Sequence, residues 1–216
     1  ALSPYVSGVP LASLIAVISA AASHGTLTTA ACWVVPVSGV RESSPPPHEA
    51  AKAALEARAW ALARELGVDH LEMRNRRRQH PDWRVKDLYV TFRKAIDADS
   101  EKNLLAIPRK QRAMVRKGIQ KGLRAEIDAR PDRHYTMYSE SLRNLGTPVF
   151  SKRYLEILQD VFGEDCEILT VIHEAAPVAS VLSFYFRDEV LPYYGGGTLA
   201  ARSVSGNDFM YWSVME

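Results

Sequence analysis

The chain has 216 residues and a net charge of +2, with 47% apolar and 24% charged residues. That composition excludes a disordered chain and supplies enough apolar side chains for a packed core. Two cysteines, Cys32 and Cys166, exclude a disulfide scaffold and a four-cysteine zinc site. The charge is unevenly placed, because no Asp, Glu, Lys or Arg precedes Arg41. The most apolar run of this opening, Leu11 to Ala22, is a dozen residues long. A membrane-spanning helix needs about 20 apolar residues. No basic segment precedes the run, as a secretory signal requires. It reads as a buried helix or strands of a soluble domain, with a signal-peptide remnant as the alternative. Ala30 to Val40, with Trp33, Val34, Val35 and Val37, reads as a strand, and Pro36 marks an edge or a bulge there.

After the stiff SSPPP linker at Ser43–Pro47, His48 to Leu66 predicts a helix. Its apolar stripe is Ala51, Leu55, Ala59, Leu62 and Leu66, and Gly67 stops it. Val68 to Arg74 predicts a strand, Asn75 to Lys86 an arginine-rich loop, and Asp87 to Phe92 another strand. Two helical stretches divided by Pro108 fill Glu101 to Gly122, and a strand covers Arg124 to Asp128. Helix Asp132 to Leu145 places Tyr135, Tyr138, Leu142 and Leu145 on one face, with Gly146 as its stop. Helix Lys152 to Phe162 presents Tyr154, Leu155, Leu158, Val161 and Phe162, and Gly163 stops it. Strands at Glu167–Ile172, Val178–Phe186 and Glu189–Tyr194 have hairpin-length connections and predict an antiparallel meander. A glycine loop and a last helix starting near Asn207 complete the order.

The order strand, helix, helix, three antiparallel strands, glycine loop, helix is similar to the first part of the GNAT acyltransferase fold. That resemblance implies an α+β or α/β domain, with a mixed, largely antiparallel sheet flanked by helices. Three stretches narrow it: NLLAIPRKQRAMVRKGI (Asn103–Ile119), LRNLGTPVFSKRY (Leu142–Tyr154) and SFYFRDEVLPYYGGGT…GNDFMYW (Ser183–Trp212). They resemble the FemAB-related proteins, and among these the subgroup found beside exosortase (PEP-CTERM) and exopolysaccharide loci. The resemblance runs from about Glu49 to Glu216. It implies two GNAT-like domains, a partial and divergent one at 1–98 and a second at 99–216. FemAB-type proteins transfer aminoacyl groups from charged tRNA to amines of peptidoglycan precursors. Members of the family continue into a strand bearing Asp-Phe-Gly, the splayed partner of Glu189–Tyr194, so the second domain is expected to be incomplete and its donor cleft half built.

Two basic clusters stand out. Arg109, Lys110, Arg112, Arg116, Lys117, Lys121 and Arg124 occur with no acid between them, and Arg109, Arg112, Arg116 and Lys117 share a side. Such a face binds phosphates of a nucleotide or tRNA, or is a solvated helix surface. Arg74, Arg76, Arg77 and Arg78 near Trp83 suit a base or a phosphate, or form a surface loop.

Gly195, Gly196, Gly197 and Thr198 give a backbone that approaches a ligand closely, or a plain loop. Ser205-x-x-Asp208 fits a capping box that would open a helix N-terminus downstream. Tyr185 and Tyr194 are candidates to pass a proton, and Asn207 and Asp208 to orient an acceptor, against core packing and helix capping respectively. Tyr211 and Trp212 read as core, and both cysteines as buried thiols. The six histidines lack metal-ligand spacing, and no metal is expected.

An amine attacks the acyl carbon directly in GNAT-like transfer, so no protein nucleophile is needed. The expected activity is N-acyl transfer of FemAB type to an amine of a cell-envelope precursor or exopolysaccharide-related acceptor. The donor is an aminoacyl-tRNA or an acyl-CoA, with no tightly bound cofactor. The setting is cytoplasmic, without a transmembrane segment, and an oligomer is compatible with the sequence. The alternatives are a phosphate- or nucleic-acid-binding module and an inactive truncated relative.

Overall fold

A computed structural model describes residues 5–6, 9–10, 33–36, 47–73, 78, 80–85 and 92–216. The expected apolar run Leu11–Ala22, the basic residues Arg74, Arg76 and Arg77, and Cys32 lie outside them. The chain divides into two compact units, Ala1–Thr26 with Gly39–Val90, and Leu27–Ser38 with Thr91–Glu216.

The first unit holds the two-residue strands β1 (Tyr5–Val6) and β2 (Val9–Pro10), paired antiparallel, and helix α1 (Pro47–Glu65). Helix α1 ends where glycine was expected to end it. Gly67 adopts φ +61°, Gly67 N donates to Arg64 O, and Val68 N reaches back to Ala63 O at 3.1 Å. This closure satisfies the last carbonyls of the helix. It also corrects the strand expected from Val68, whose N–H is held by the helix, and Val68–Met73 form no strand. The expected stripe holds in part: Ala59 is buried, Leu55 and Leu62 are half-buried, and Leu66 is exposed. Trp83 stacks on His80 at 4.2 Å between ring centroids and meets Trp60 edge-on. Of the four arginines expected near it, only Arg78 is described, and it donates to the backbone oxygens of His80 and Pro81.

The second unit is built on one six-stranded sheet. Its strands are β3 (Trp33–Pro36), β4 (Phe92–Arg93), β5 (Arg124–Asp128), β6 (Cys166–His173), β7 (Ala176–Phe186) and β8 (Glu189–Gly197), in the order β4-β3-β8-β7-β6-β5. All neighbours are antiparallel except β3 and β4. The helices are α2 (Ser100–Ala106), α3 (Arg109–Gln120), α4 (Asp132–Asn144), α5 (Lys152–Phe162), α6 (Leu199–Val204) and α7 (Gly206–Val214). Strand, two helices, three-strand meander and helix thus follow in the GNAT order.

Pro108 separates α2 from α3, and Gly146 and Gly163, at φ +70° and +53°, lie just past the ends of α4 and α5. Two-residue turns join the meander, Glu174–Ala175 and Arg187–Asp188. Between β7 and β8 the register shifts after Leu182, so that Tyr193 is an extra residue between Pro192 and Tyr194. Pro192 has no N–H for the ladder, which suits a bulge at this point.

Alternation of the strands divides the core. Leu169, Val171, Ala179 and Val181 meet Val115 of α3, Ala201 and Val204 of α6, and Phe209, Met210 and Trp212 of α7. Burying each large aliphatic side chain contributes about 1.5–3 kcal/mol. Helix α4 packs across β7 and β8, and α5 against β6. The buried side chains of α4 are His134, Met137 and Tyr138, and Leu145 is 66% exposed. The face expected at Tyr135, Tyr138, Leu142 and Leu145 is therefore corrected by about one residue, since His134 turns inward to meet Ser180.

The ladder from β3 to β8 is Val35↔Val190 and Pro36↔Glu189, while β4 pairs with Trp33 and Val34. Pro36 sits past the pairing with β4, so it occupies an end rather than an edge strand. A strand from the N-terminal part of the chain thus stands beside the start of β8, where a strand downstream of α7 was expected.

Candidate functional site

Gly195, Gly196 and Gly197 do not form a loop. They complete β8 and pair with Val181, Ser180 and Ala179. Their use is close approach of helices on both faces. A Cβ on Gly196 would sit 2.9 Å from Tyr138 Cα and from Ser141 Cβ. A Cβ on Gly197 would run into Asn207 Oδ1 and lie 3.1 Å from Ala201 Cβ. The strand ends at Thr198, whose N–H donates to Val178 O at 2.9 Å, and α6 starts immediately.

This early helix was not expected from the sequence, which placed the last helix near Asn207. The capping box is also corrected. Ser205 lies between α6 and α7 at φ 59°, ψ 39° and makes no side-chain cap; its hydroxyl donates to Met114 Sδ at 3.6 Å. The reversal between the two short helices puts Asn207 beside Gly197 and leaves Asp208 half-buried, its carboxyl pKa raised by that burial.

A cavity of about 220 Å³ opens at this end of β8. Gly197, Thr198, Asn207, Arg202, Ser141 and Asn144 line it, with Leu145 and Leu199. No carboxylate is among the described lining residues. One guanidinium, two amides and two hydroxyls give the cavity a donor-rich wall suited to an anion.

Tyr194 is two residues before Gly196 on the α4 side of the sheet. It is buried, and its hydroxyl lies 3.0 Å from that of Tyr154. Tyr138 meets its ring edge-on. Burial, first, and the neighbouring tyrosines raise the Tyr194 pKa well above that of a free phenol, and push that of Tyr138 up to about 12. Tyr185 projects from the opposite face and donates to Glu167 Oε1 at 2.9 Å; burial and that carboxylate raise its pKa too. The two tyrosines are therefore not brought together, and each holds its proton. Cys166 is buried, and burial pushes its thiol up to about 12.

Residues 109–216, half of the chain, match the family model for the acetyltransferase (GNAT) domain. The chain belongs to the GNAT acetyltransferase family. Among solved structures, a crystal structure of FemX is similar at 13% identity and a TM-score of 0.50, over 56% of this chain and 47% of that one. The alignment spans less than half the length of FemX, and at this identity the likeness is one of fold. No curated protein sequence matches the chain.

Within the GNAT domain the basic helix α3 lies away from the cavity's lining. Its buried side is Val115 and Gly118, against α7. Arg112 donates to Leu105 O at 3.0 Å and so ties α3 to the last turn of α2. Arg109 and Arg116 are exposed and Lys117 is half-buried. None of the four lines the cavity.

Of the twelve residues the sequence singled out, the cavity gathers Gly197, Thr198 and Asn207. It adds Ser141, Asn144 and Arg202, which the sequence reading passed over. Ser141 and Asn144 are three apart on the last turns of α4, a spacing that was visible. Arg202 belongs to α6, a six-residue helix with no stop signal of its own. Among the described residues no His, Cys, Asp or Glu cluster could hold a metal ion, and no helix is long and apolar enough to cross a membrane.

Proposed function

We propose that this GNAT protein is an N-acyltransferase of the FemAB type. It moves an acyl or aminoacyl group to an amine of a cell-envelope precursor or exopolysaccharide-related acceptor. The observation that supports this is the cavity at the end of β8, with Arg202 at its wall and no carboxylate among its described lining residues. Both donor classes, acyl-CoA and aminoacyl-tRNA, bring phosphates to such a wall, and both belong to a cytoplasmic setting. The first 98 residues then form a partial, divergent GNAT-like domain, of which Leu27–Ser38 joins the second unit.

The reaction needs placement more than nucleophilic help. The amine lone pair attacks the acyl carbon and a C–N bond forms. The bond to the donor's sulfur, or to its ribose oxygen, then breaks. The amine's proton passes to that leaving atom. Tyr194, protonated throughout the physiological range, is the proposed relay for that proton, giving its own to the leaving atom as it takes up the amine's. Asn207 and Asp208 keep their proposed part in orienting the acceptor, Asn207 from the cavity wall and Asp208 from the turn behind it.

The test is donor binding and transfer with acetyl-CoA and with charged tRNA, on wild type and on Arg202→Ala. Loss of one phosphate contact should weaken the donor about tenfold, which is ~1.4 kcal/mol, and Arg202→Lys should recover part of it. Transfer from neither donor, or unchanged affinity in Arg202→Ala, sinks the proposal. The exposed Arg109 and Arg116 favour a second reading, in which α3 binds polyanions alone. In that case bare tRNA binds as well as charged tRNA, with steep salt dependence and indifference to Arg202.

A further inference from the structure

Strand β5 is the outer strand of the sheet, paired with β6 over all five residues, Arg124↔Ile172 to Asp128↔Ile168. Arg124, Ala125, Glu126 and Ile127 are all exposed, Ile127 at 58%. No proline, lysine or bulge interrupts these residues, so the devices that protect the edge from pairing with another chain are the charges of Arg124, Glu126 and Asp128.

The edge is also polarised. Its leading end carries Arg124, with Lys121 three residues before it, both exposed. Its trailing end opens into a groove of about 490 Å³ walled by Asp128, Asp160, Glu164 and Glu167, with no Lys, Arg or His among the described lining residues. Asp128 is already engaged by Arg133 and Thr170, and Glu167 by Tyr185. Asp160 and Glu164 are exposed. The two ends lie about 14 Å apart at ~3.4 Å per residue.

We propose that β5 pairs antiparallel with β5 of a second copy, making a twofold dimer with a continuous sheet. A twofold axis perpendicular to the sheet keeps each face on its own side, so opposing residues must share parity. The register centred on Glu126 uses all five residues. It sets Arg124 opposite Asp128 of the second copy, and Ala125 opposite its Ile127. Positive end meets negative end twice, with Arg124 of each copy directed to the acidic groove of the other. Glu126 meets its own counterpart at the axis, where Arg133 of each copy, 2.9 Å from its own Glu126, offsets the repulsion. On the other face two Ile127 side chains are covered by alanines. Opposed charges and matched apolar pairs are what stabilise a cross-strand contact. A self-complementary patch of this kind closes as a dimer rather than growing into a fibre.

The test is sedimentation equilibrium on the full chain, with Arg124→Glu and Glu164→Lys, each checked for folding by circular dichroism. Wild type should dimerise with rising concentration. It should dissociate in high salt, where the screening length falls from about 10 Å at 0.1 M to about 3 Å at 1 M. Each variant alone places like charges at both contacts and should weaken the dimer about tenfold or more. Mixed together, the two variants pair the introduced acid of one with the introduced base of the other at one contact. The second contact keeps the native Arg124 against the native Glu164, so heterodimers should return. A monomeric wild type at every concentration overturns the proposal and leaves the edge to a strand of another protein. A dimer indifferent to both variants, or a mixture that stays monomeric, overturns it equally.

Discussion

His134 shows how one buried side chain couples the fold to pH. The ring is fully buried, stacked on Tyr138, with Nδ1 3.0 Å from Ser180 Oγ. Ser180 donates to Leu169 O and Thr170 to Asp128 Oδ2, which leaves Nδ1–H as the donor to Ser180. Nε2 then carries a lone pair, buried without a hydrogen-bond partner among the described residues. Burial lowers the pKa from 6.5 to about 4, and the Asp128 charge opposes this only in part. Between pH 6.5 and 4 the unfolded chain binds a proton that the folded chain does not. Stability therefore falls as pH drops through that window, by roughly 3 kcal/mol at its acid end, and the contribution is complete above pH 6.5. Urea unfolding across the window should show this slope in wild type and lose most of it in His134→Gln. A ring that titrates near 6.5 in the folded protein, followed by NMR, would rule it out.

Among elements, the contact of α3 with α7 rests on Gly118. A Cβ there would lie 2.9 Å from Phe209 Cβ and 3.2 Å from Leu123 Cδ1. Alanine is the better helix former by about 1 kcal/mol. The opposing atom is a Cβ close to the α7 backbone, which cannot swing away, and overpacking of this kind costs about 1–3 kcal/mol. The clash should win, so Gly118→Ala should lower the midpoint of thermal unfolding; a raised midpoint would show that α7 yields. Neither residue gives this away in the sequence, where Gly118 reads only as a weak spot in a basic helix. Elements with local signals were legible: β5 and α5 have the expected bounds, with Gly163 as the stop of α5, and the meander followed from alternation and turn lengths. The glycines of β8 were not, since a strand without side chains has no period to read. The site suffered most. Its wall joins the end of α4, the end of β8 and the α6–α7 reversal, and only the glycine end and Asn207 carried a signal.

For the whole molecule, the division into units sets what can stand alone. The second unit takes in Leu27–Ser38 and Thr91–Glu216. Every member of its main apolar cluster lies between Leu104 and Met215. The candidate cavity runs from Ser141 to Asn207, within the residues that match the GNAT family. Strand β3 contributes two ladder pairs to β8 and two to β4. Losing those ladder pairs costs a few backbone hydrogen bonds of about 1 kcal/mol each, against a described cluster worth many times that. A chain starting at Thr91 should therefore fold, unfold cooperatively in urea and keep near-UV circular dichroism. It should also bind the acyl donor with the affinity of the full chain, because the described lining of the candidate cavity lies wholly within it. A shortened chain without a cooperative transition would mean that β3 is needed to complete the sheet. One that folds but loses the donor would move the donor site to residues outside 91–216.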